Sequence, residues 1–84
     1  KIFVMGHKLT DVDAFGAAIG IYRAAAALEK NAHIVINEIS ASLRPLYECY
    51  EKDPSYPDDL FLTSAEAIPM VDEESMVIVV DDRV

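Results

Sequence analysis

The fold is decided by residues 1–36, which read KIFVMGHKLTDVDAFGAAIGIYRAAAALEKNAHIVI. Residues 2–5 form a short, continuous apolar run, which is typical of a strand buried on both faces. A polar loop over residues 6–13 separates this run from a predicted helix over residues 14–30. A second apolar run follows at residues 32–36. The order of strand, loop, helix and strand predicts two parallel neighbouring strands joined by a helical crossover.

The predicted helix is rich in alanine and glycine. Asp13 is predicted to be its N-cap, because a short side-chain oxygen can accept a hydrogen bond from the first free backbone N–H groups. Gly16 and Gly20 are expected to allow close packing on a sheet. The apolar residues at helical spacing are predicted to face that sheet: Ala17, Ala18, Ile21, Ala24, Ala25 and Leu28.

The remainder of the chain continues the alternation of strands and helices. A short helix is predicted over residues 42–52, strands over 60–62 and 76–80, and another short helix beginning near Thr63. This pattern predicts an α/β fold, a Rossmann-like parallel sheet with strand order 3-2-1-4 and helices on both faces. The chain reverses direction between strands 1 and 4 in that order, and ligands bind at such a switch point, outside the carboxyl ends of the strands.

Composition limits the class of protein. The chain has 84 residues, 52% of them hydrophobic, which indicates one folded domain. Apolar runs at both ends indicate a piece of a longer protein. The formal net charge of −8 argues against binding to duplex nucleic acid, which needs Lys and Arg. A single cysteine and the absence of a membrane-length apolar stretch fit a reducing, cytoplasmic setting.

The loop after the first strand carries candidate metal ligands. His7, Asp11 and Asp13 lie within seven residues, and carboxylates with an imidazole suit Mn²⁺, Mg²⁺ or Fe²⁺. Asp81 ends the fourth strand, which the predicted order places beside the first, so its carboxylate could bridge two ions. Paired ions clamp the attacking and leaving oxygens of a phosphoryl transfer. An alternative is equally compatible with the residues: a helix cap, a turn-forming aspartate and a loop histidine.

Residues 5–21, MGHKLTDVDAFGAAIGI, resemble the first motif of the DHH-type phosphoesterases. That motif is an apolar strand followed by Gly-His, three residues, Asp-x-Asp and a helix of small residues. Within the superfamily, the segment is most similar to cyclic-di-AMP phosphodiesterases of the GdpP type. The resemblance continues more loosely over nearly all of the chain.

This resemblance implies a two-manganese hydrolase, with Mg²⁺ or another divalent ion as the alternative. Such an enzyme opens a cyclic dinucleotide to the linear form by attack of metal-activated water. His7 and Asp11 match ligands of the first ion, Asp13 matches a ligand of the second, and Asp81 matches the bridging carboxylate. The resemblance thus implies that these four residues form the catalytic and metal-binding set.

Three departures from the family pattern limit this expectation. Leu9-Thr10 stand where the family has Asn-Pro or a similar pair, and Asp82-Arg83 follow Asp81 directly, which leaves the register between Asp81 and Asp82 open. The DHH triplet and the glycine-rich, DHHA1-type substrate-binding domain are absent, so the isolated fragment is expected to be inactive.

Other functions and settings stay open at this point. Short oligonucleotides and pyrophosphate are the alternative substrates, and a non-catalytic α/β binding module is the alternative class. The fragment is expected to belong to a cytoplasmic domain. A membrane anchor elsewhere in the parent chain, and a homo-oligomer, are left open.

Overall fold

The computed structural model describes residues 1–6, 8–9 and 11–80, with Lys8 described in its backbone only. The elements, in chain order, are β1 (Ile2–Met5), β2 (Lys8–Leu9), α1 (Val12–Ala27), β3 (Ala32–Val35), β4 (Glu38–Ile39), α2 (Arg44–Lys52), β5 (Phe61–Leu62), α3 (Ser64–Ala67) with a 3-10 turn (Ile68–Met70), and β6 (Met76–Val79).

The main sheet has four strands in the spatial order β5-β3-β1-β6, and every pairing in it is parallel. The predicted α/β class with a parallel sheet is confirmed, and β1 lies between β3 and β6. The four strands of this sheet are the predicted ones in the same spatial arrangement, but their numbers change from 3-2-1-4 to 5-3-1-6. The numbers change because a separate two-stranded parallel ladder of β2 and β4, which was not predicted, adds two strands to the chain order. Strands of two residues are too short to show any periodicity in the sequence.

Helices cover both faces of the sheet, as predicted. Val4 and Ile34 point to the face on which α1 and α2 pack, whereas Phe3 and Val35 point to the face covered by α3 and the 3-10 turn. Full burial of side chains of this size contributes roughly 1.5–3 kcal/mol each. The second face is covered less completely at the edge strand β6, where Val77 and Val79 are 52% and 71% exposed.

Helix α1 begins two residues earlier and ends three residues earlier than predicted. Its N-cap is Asp11, whose Oδ1 accepts a hydrogen bond from the Asp13 N–H at 2.8 Å, so the prediction that Asp13 caps the helix was wrong. Aspartate is a favourable N-cap residue at either position. Asp11 rather than Asp13 caps the helix because of the burial of the residues that follow. The helix ends because Glu29 adopts a positive φ of 60°, and Lys30 N–H donates to the Ala25 carbonyl, which is a Schellman motif.

The buried stripe of α1 also differs from the prediction. Ala17, Ala24 and Leu28 are exposed, and only Ala18 and Ala25 of the predicted stripe are fully buried. Alanine occurs on every face of this helix, so alanine does not determine which face is buried. The buried face is determined by the large side chains, because their burial removes the most apolar area from water. The buried residues of the helix are Ala14, Phe15, Ala18, Ile19, Tyr22 and Ala25.

Gly16 and Gly20 do not make the predicted close contact with the sheet. Both are exposed, and a Cβ added at either would meet no atom within 4 Å. Replacing Gly20 with alanine is therefore expected to raise the free energy of unfolding by about 0.5–1 kcal/mol, because glycine loses more backbone entropy in a helix. Urea denaturation followed by circular dichroism measures this change. An unchanged or lowered stability would contradict the open environment of Gly20.

Candidate metal centre at the carboxyl edge of the sheet

The loop that carries the candidate ligands leaves the carboxyl end of β1 between two neighbouring strands. Gly6 N–H donates to the Val35 carbonyl at 2.8 Å, and Val80 N–H donates to the Met5 carbonyl at 2.8 Å. These bonds bring the ends of β3, β1 and β6 to one edge of the sheet. This is the edge at which parallel α/β sheets bind ligands.

The loop is fixed by a close approach between Gly6 and Leu9. Leu9 is fully buried, and a Cβ added at Gly6 would lie 2.9 Å from its Cδ2 atom, closer than real side chains come. Glycine is therefore favoured at position 6 because it has no Cβ to press against Leu9, and not because of an unusual φ. Leu9 is the first residue of the pair at which this sequence departs from the family pattern, and its side chain packs in the core.

Asp11 and Asp13 lie together where α1 begins. Asp11 is partly buried, and its cap bond uses only Oδ1, which leaves Oδ2 as a candidate metal ligand. Asp13 is exposed in the first turn of the helix. Two of the predicted ligands therefore lie within one turn of each other at the start of α1.

The other two predicted ligands cannot be placed. His7 and Asp81 lie outside the described residues, as do Asp82 and Arg83. Among residues 1–6, 8–9 and 11–80, three or more potential ligands do not come together in one group. The set of His7, Asp11, Asp13 and Asp81 therefore stays a prediction, of which the structure places Asp11 and Asp13.

His33 is a packing residue, as its distance from the carboxyl edge indicates. It is 6% exposed, its ring stacks on Phe3 with centroids 5.7 Å apart, and its Nδ1 lies 2.8 Å from the Asp59 carbonyl oxygen. Because a carbonyl oxygen only accepts, Nδ1 carries the proton in this contact.

The sequence reasoning missed a group of polar residues beside the candidate metal loop. Asn37 follows β3 and Thr63 follows β5, so both lie at the carboxyl edge, and their position after buried strands was the signal that could have identified them. The Asn37 side chain is held by Ser64 through two hydrogen bonds, of 2.7 and 2.9 Å. Thr63 caps α3 in a reciprocal arrangement with Glu66.

Tyr47 extends this polar group toward α2. Its ring centroid lies 4.5 Å from that of Phe61, and its hydroxyl donates to Glu51 at 3.1 Å. Burial raises the pKa of Tyr47, and the hydrogen bond to Glu51 raises it further. The hydroxyl consequently stays protonated and remains a hydrogen-bond donor at neutral pH.

The parallel sheet covered by helices makes this an α/β protein, and its polar side chains lie at the carboxyl edge, where such sheets bind ligands. Comparison with known proteins gives the family: residues 1–83 match the DHH family, N-terminal domain, and the chain belongs to that family. The resemblance seen in the sequence is thereby confirmed. No solved structure matches the chain.

The curated relatives include phosphodiesterases. The chain is 36% identical over 85 residues to the cyclic-di-AMP phosphodiesterase GdpP of Bacillus subtilis, covering 96% of this chain and 12% of that protein. It is 30% identical over 83 residues to the cyclic-di-AMP phosphodiesterase PdeA of Listeria monocytogenes, with the same coverage of 96% and 12%.

A third relative is described as a membrane protein fused to a ribosomal protein. The chain is 35% identical over 85 residues to the membrane protein-large ribosomal subunit bL9 fusion protein of Aster yellows witches'-broom phytoplasma, covering 96% of this chain and 10% of that protein. The chain thus spans about a tenth of the length of these relatives. Within the described residues, no helix is both long and apolar enough to cross a bilayer.

Proposed function

We propose that this chain is the amino-terminal part of a divalent-metal-dependent phosphodiesterase that hydrolyses cyclic-di-AMP to the linear dinucleotide. His7, Asp11, Asp13 and Asp81 are the proposed ligands of two Mn²⁺ ions. The observation that carries the proposal is the pairing of Asp11 and Asp13 at the carboxyl end of β1, in a chain about one third identical to two cyclic-di-AMP phosphodiesterases.

The placed residues fit a metal site. The Asp13 N–H bond to Asp11 ties the two residues into one short turn, and folding therefore orders both before any ion arrives. Carboxylate oxygens are ligands that Mn²⁺ and Mg²⁺ prefer. Two bound divalent ions would neutralise charge on the phosphodiester and acidify the attacking water. The contribution of the chain itself is to hold the two aspartates two residues apart at the start of α1, with Oδ1 of Asp11 fixed by the cap bond.

The rest of the proposed protein follows from the family. We propose that the four-stranded sheet is part of a larger Rossmann-like domain, that a DHH triplet and a DHHA1-type domain complete the second metal position and the substrate site, and that the isolated fragment is inactive. The name of the membrane-protein relative supports a membrane-anchored parent, in which we propose that this chain belongs to a cytoplasmic domain. Assembly as a homo-oligomer is compatible with this arrangement.

A calorimetric titration of Mn²⁺ into the full-length protein tests the metal site, alongside hydrolysis of cyclic-di-AMP. The variant carrying His7→Ala and Asp13→Ala is expected to lose high-affinity manganese binding and turnover, because both proposed positions lose a ligand. Glu73→Gln is the matched control, since Glu73 is an exposed carboxylate in the turn before β6, at the opposite edge of the sheet.

Unchanged manganese affinity and unchanged turnover in the double variant would overturn the metal assignment. Substrate comparison tests the remainder of the proposal. Preferred hydrolysis of a short oligonucleotide or of pyrophosphate would replace the proposed substrate. A full-length protein that binds no manganese and hydrolyses none of the three would be a non-catalytic binding module.

A further inference from the structure

An open pocket of about 430 Å³ lies at the carboxyl edge of the sheet, on the side of β3 away from β6. Its volume falls within the range of small-molecule binding sites. It combines apolar side chains with polar groups and one cation. The lining residues are Ile36, Asn37, Glu38, Ile39, Arg44, Tyr47 and Thr63.

Much of the lining is held in place by contacts outside the pocket. Ser64 fixes the amide of Asn37, Glu66 fixes Thr63, and Glu51 accepts the hydrogen bond of the Tyr47 hydroxyl. A site whose side chains are already ordered loses little conformational entropy when a ligand binds. These contacts therefore preorganise the side chains of the pocket for binding.

Arg44 supplies the positive charge of the pocket. It lies at the start of α2 and is exposed, and its guanidinium makes no ion pair within the described part of the chain. An exposed guanidinium at the rim of a pocket can bind an anionic ligand, and in a protein of net charge −8 such a positive group is uncommon. Arginine binds phosphate through two parallel hydrogen bonds, which makes phosphate a suitable anion.

The pocket and the candidate metal loop share a wall. Glu38 and Ile39 of the lining form β4, and β4 pairs with β2, whose Leu9 lies two residues before Asp11. Ser40 N–H also donates to the Leu9 carbonyl at 3.0 Å. Adjacent strands lie about 4.8 Å apart, so the strand that leads to the candidate carboxylates is a direct neighbour of the strand that lines the pocket.

We propose that this pocket binds the nucleoside phosphate unit of the substrate that is not being cleaved, with Arg44 on its phosphate. The inference rests on the proposed function and adds a second substrate contact to it. Ile36, Ile39 and the ring of Tyr47 supply apolar surface for a base or ribose.

The test compares Arg44→Ala with Lys52→Ala in the full-length protein. Lys52 is exposed at the other end of α2, so its replacement removes the same charge from the same helix without touching the pocket. Arg44→Ala is expected to raise KM for cyclic-di-AMP by about tenfold, the loss of a partly exposed charge-assisted hydrogen bond. The kcat value and the manganese titration are expected to stay within twofold of the parent, and Lys52→Ala is expected to change none of these.

An unchanged KM in Arg44→Ala, or an equal rise in Lys52→Ala, would overturn the pocket assignment. Arg44→Lys, which keeps the charge and loses the planar fork, is expected to fall between the parent and Arg44→Ala. Circular dichroism confirms that each variant is folded.

Inhibition by the linear dinucleotide, used as a competitive inhibitor, tests which kind of phosphate Arg44 contacts. A larger effect of Arg44→Ala on the linear form assigns Arg44 to a terminal phosphate, and an equal effect assigns it to an internal diester. Failure of the proposed function gives a different result, since the full-length parent would then lack manganese binding and hydrolysis of cyclic-di-AMP, or the variant with His7→Ala and Asp13→Ala would keep both.

Discussion

Replacing Asp11 with asparagine in the full-length protein is expected to reduce turnover by at least about a hundredfold. Mutating even a residue that only hydrogen-bonds to a metal ligand typically costs about 10–100-fold in metal affinity or activity. The reason lies in two roles of this side chain, of which the first is observed and the second is proposed. Oδ1 caps α1 through the Asp13 N–H, and Oδ2 is the proposed metal ligand. Asparagine is as good an N-cap as aspartate but is a neutral and weaker ligand.

Asp11→Ala is the informative partner of this variant. Alanine removes the cap as well as the ligand, so its free energy of unfolding is expected to fall by about 1 kcal/mol, and that of Asp11→Asn by distinctly less. Urea denaturation measures stability, and hydrolysis of cyclic-di-AMP measures turnover. Full activity in Asp11→Asn would show that Asp11 serves only the helix. Equal loss of stability in both variants would show that the cap bond contributes nothing.

Replacing Leu9 with alanine is expected to lower the free energy of unfolding by about 2–5 kcal/mol, the usual cost of removing a fully buried leucine. Leu9 is 0% exposed and joins the candidate metal loop to the core. The loss is large because small domains are stable by only about 5–15 kcal/mol. Urea denaturation checks the magnitude.

A double-mutant cycle with Gly6 tests the packing that causes this effect. Gly6→Ala alone is expected to cost about 1–3 kcal/mol, because its Cβ would press against the Leu9 side chain. Combined with Leu9→Ala, the same methyl group enters the space that leucine has left, so the double variant should be more stable than the sum of the single losses predicts. Additive losses would contradict the close approach.

The sheet could be predicted because its strands are short apolar runs separated by turn-forming residues, as at Ile2–Met5 and Met76–Val79. Two other features, the ladder of β2 and β4 and the buried face of α1, could not be predicted from the sequence. The strands Lys8–Leu9 and Glu38–Ile39 are too short for any pattern, and their pairing depends on the burial of Leu9. The face of α1 was misassigned because alanine is apolar without specifying a side, whereas Phe15, Ile19 and Tyr22 fix the orientation through their size.

The positions of two candidate ligands could be predicted from the sequence, but the surroundings of the candidate site could not. Asp11 and Asp13 were identified as neighbours on the loop after β1, and the structure places both at the carboxyl edge. Which of them caps the helix depends on where the first buried turn begins, and local propensity does not distinguish two aspartates two residues apart. The pocket around Arg44 combines residues from β4, α2 and the end of β5, so only the folded sheet brings them together.

The cap made by Asp11 has a consequence for how this loop diverges over evolutionary time. In a descendant that no longer needed catalysis, selection for a stable α1 would still favour aspartate, asparagine or serine at position 11. Position 13 would be under no such demand, since the Asp13 side chain is exposed and only its backbone N–H serves the cap. The helix alone therefore explains an aspartate at position 11, whereas an aspartate at position 13 is the better indication of the proposed metal site.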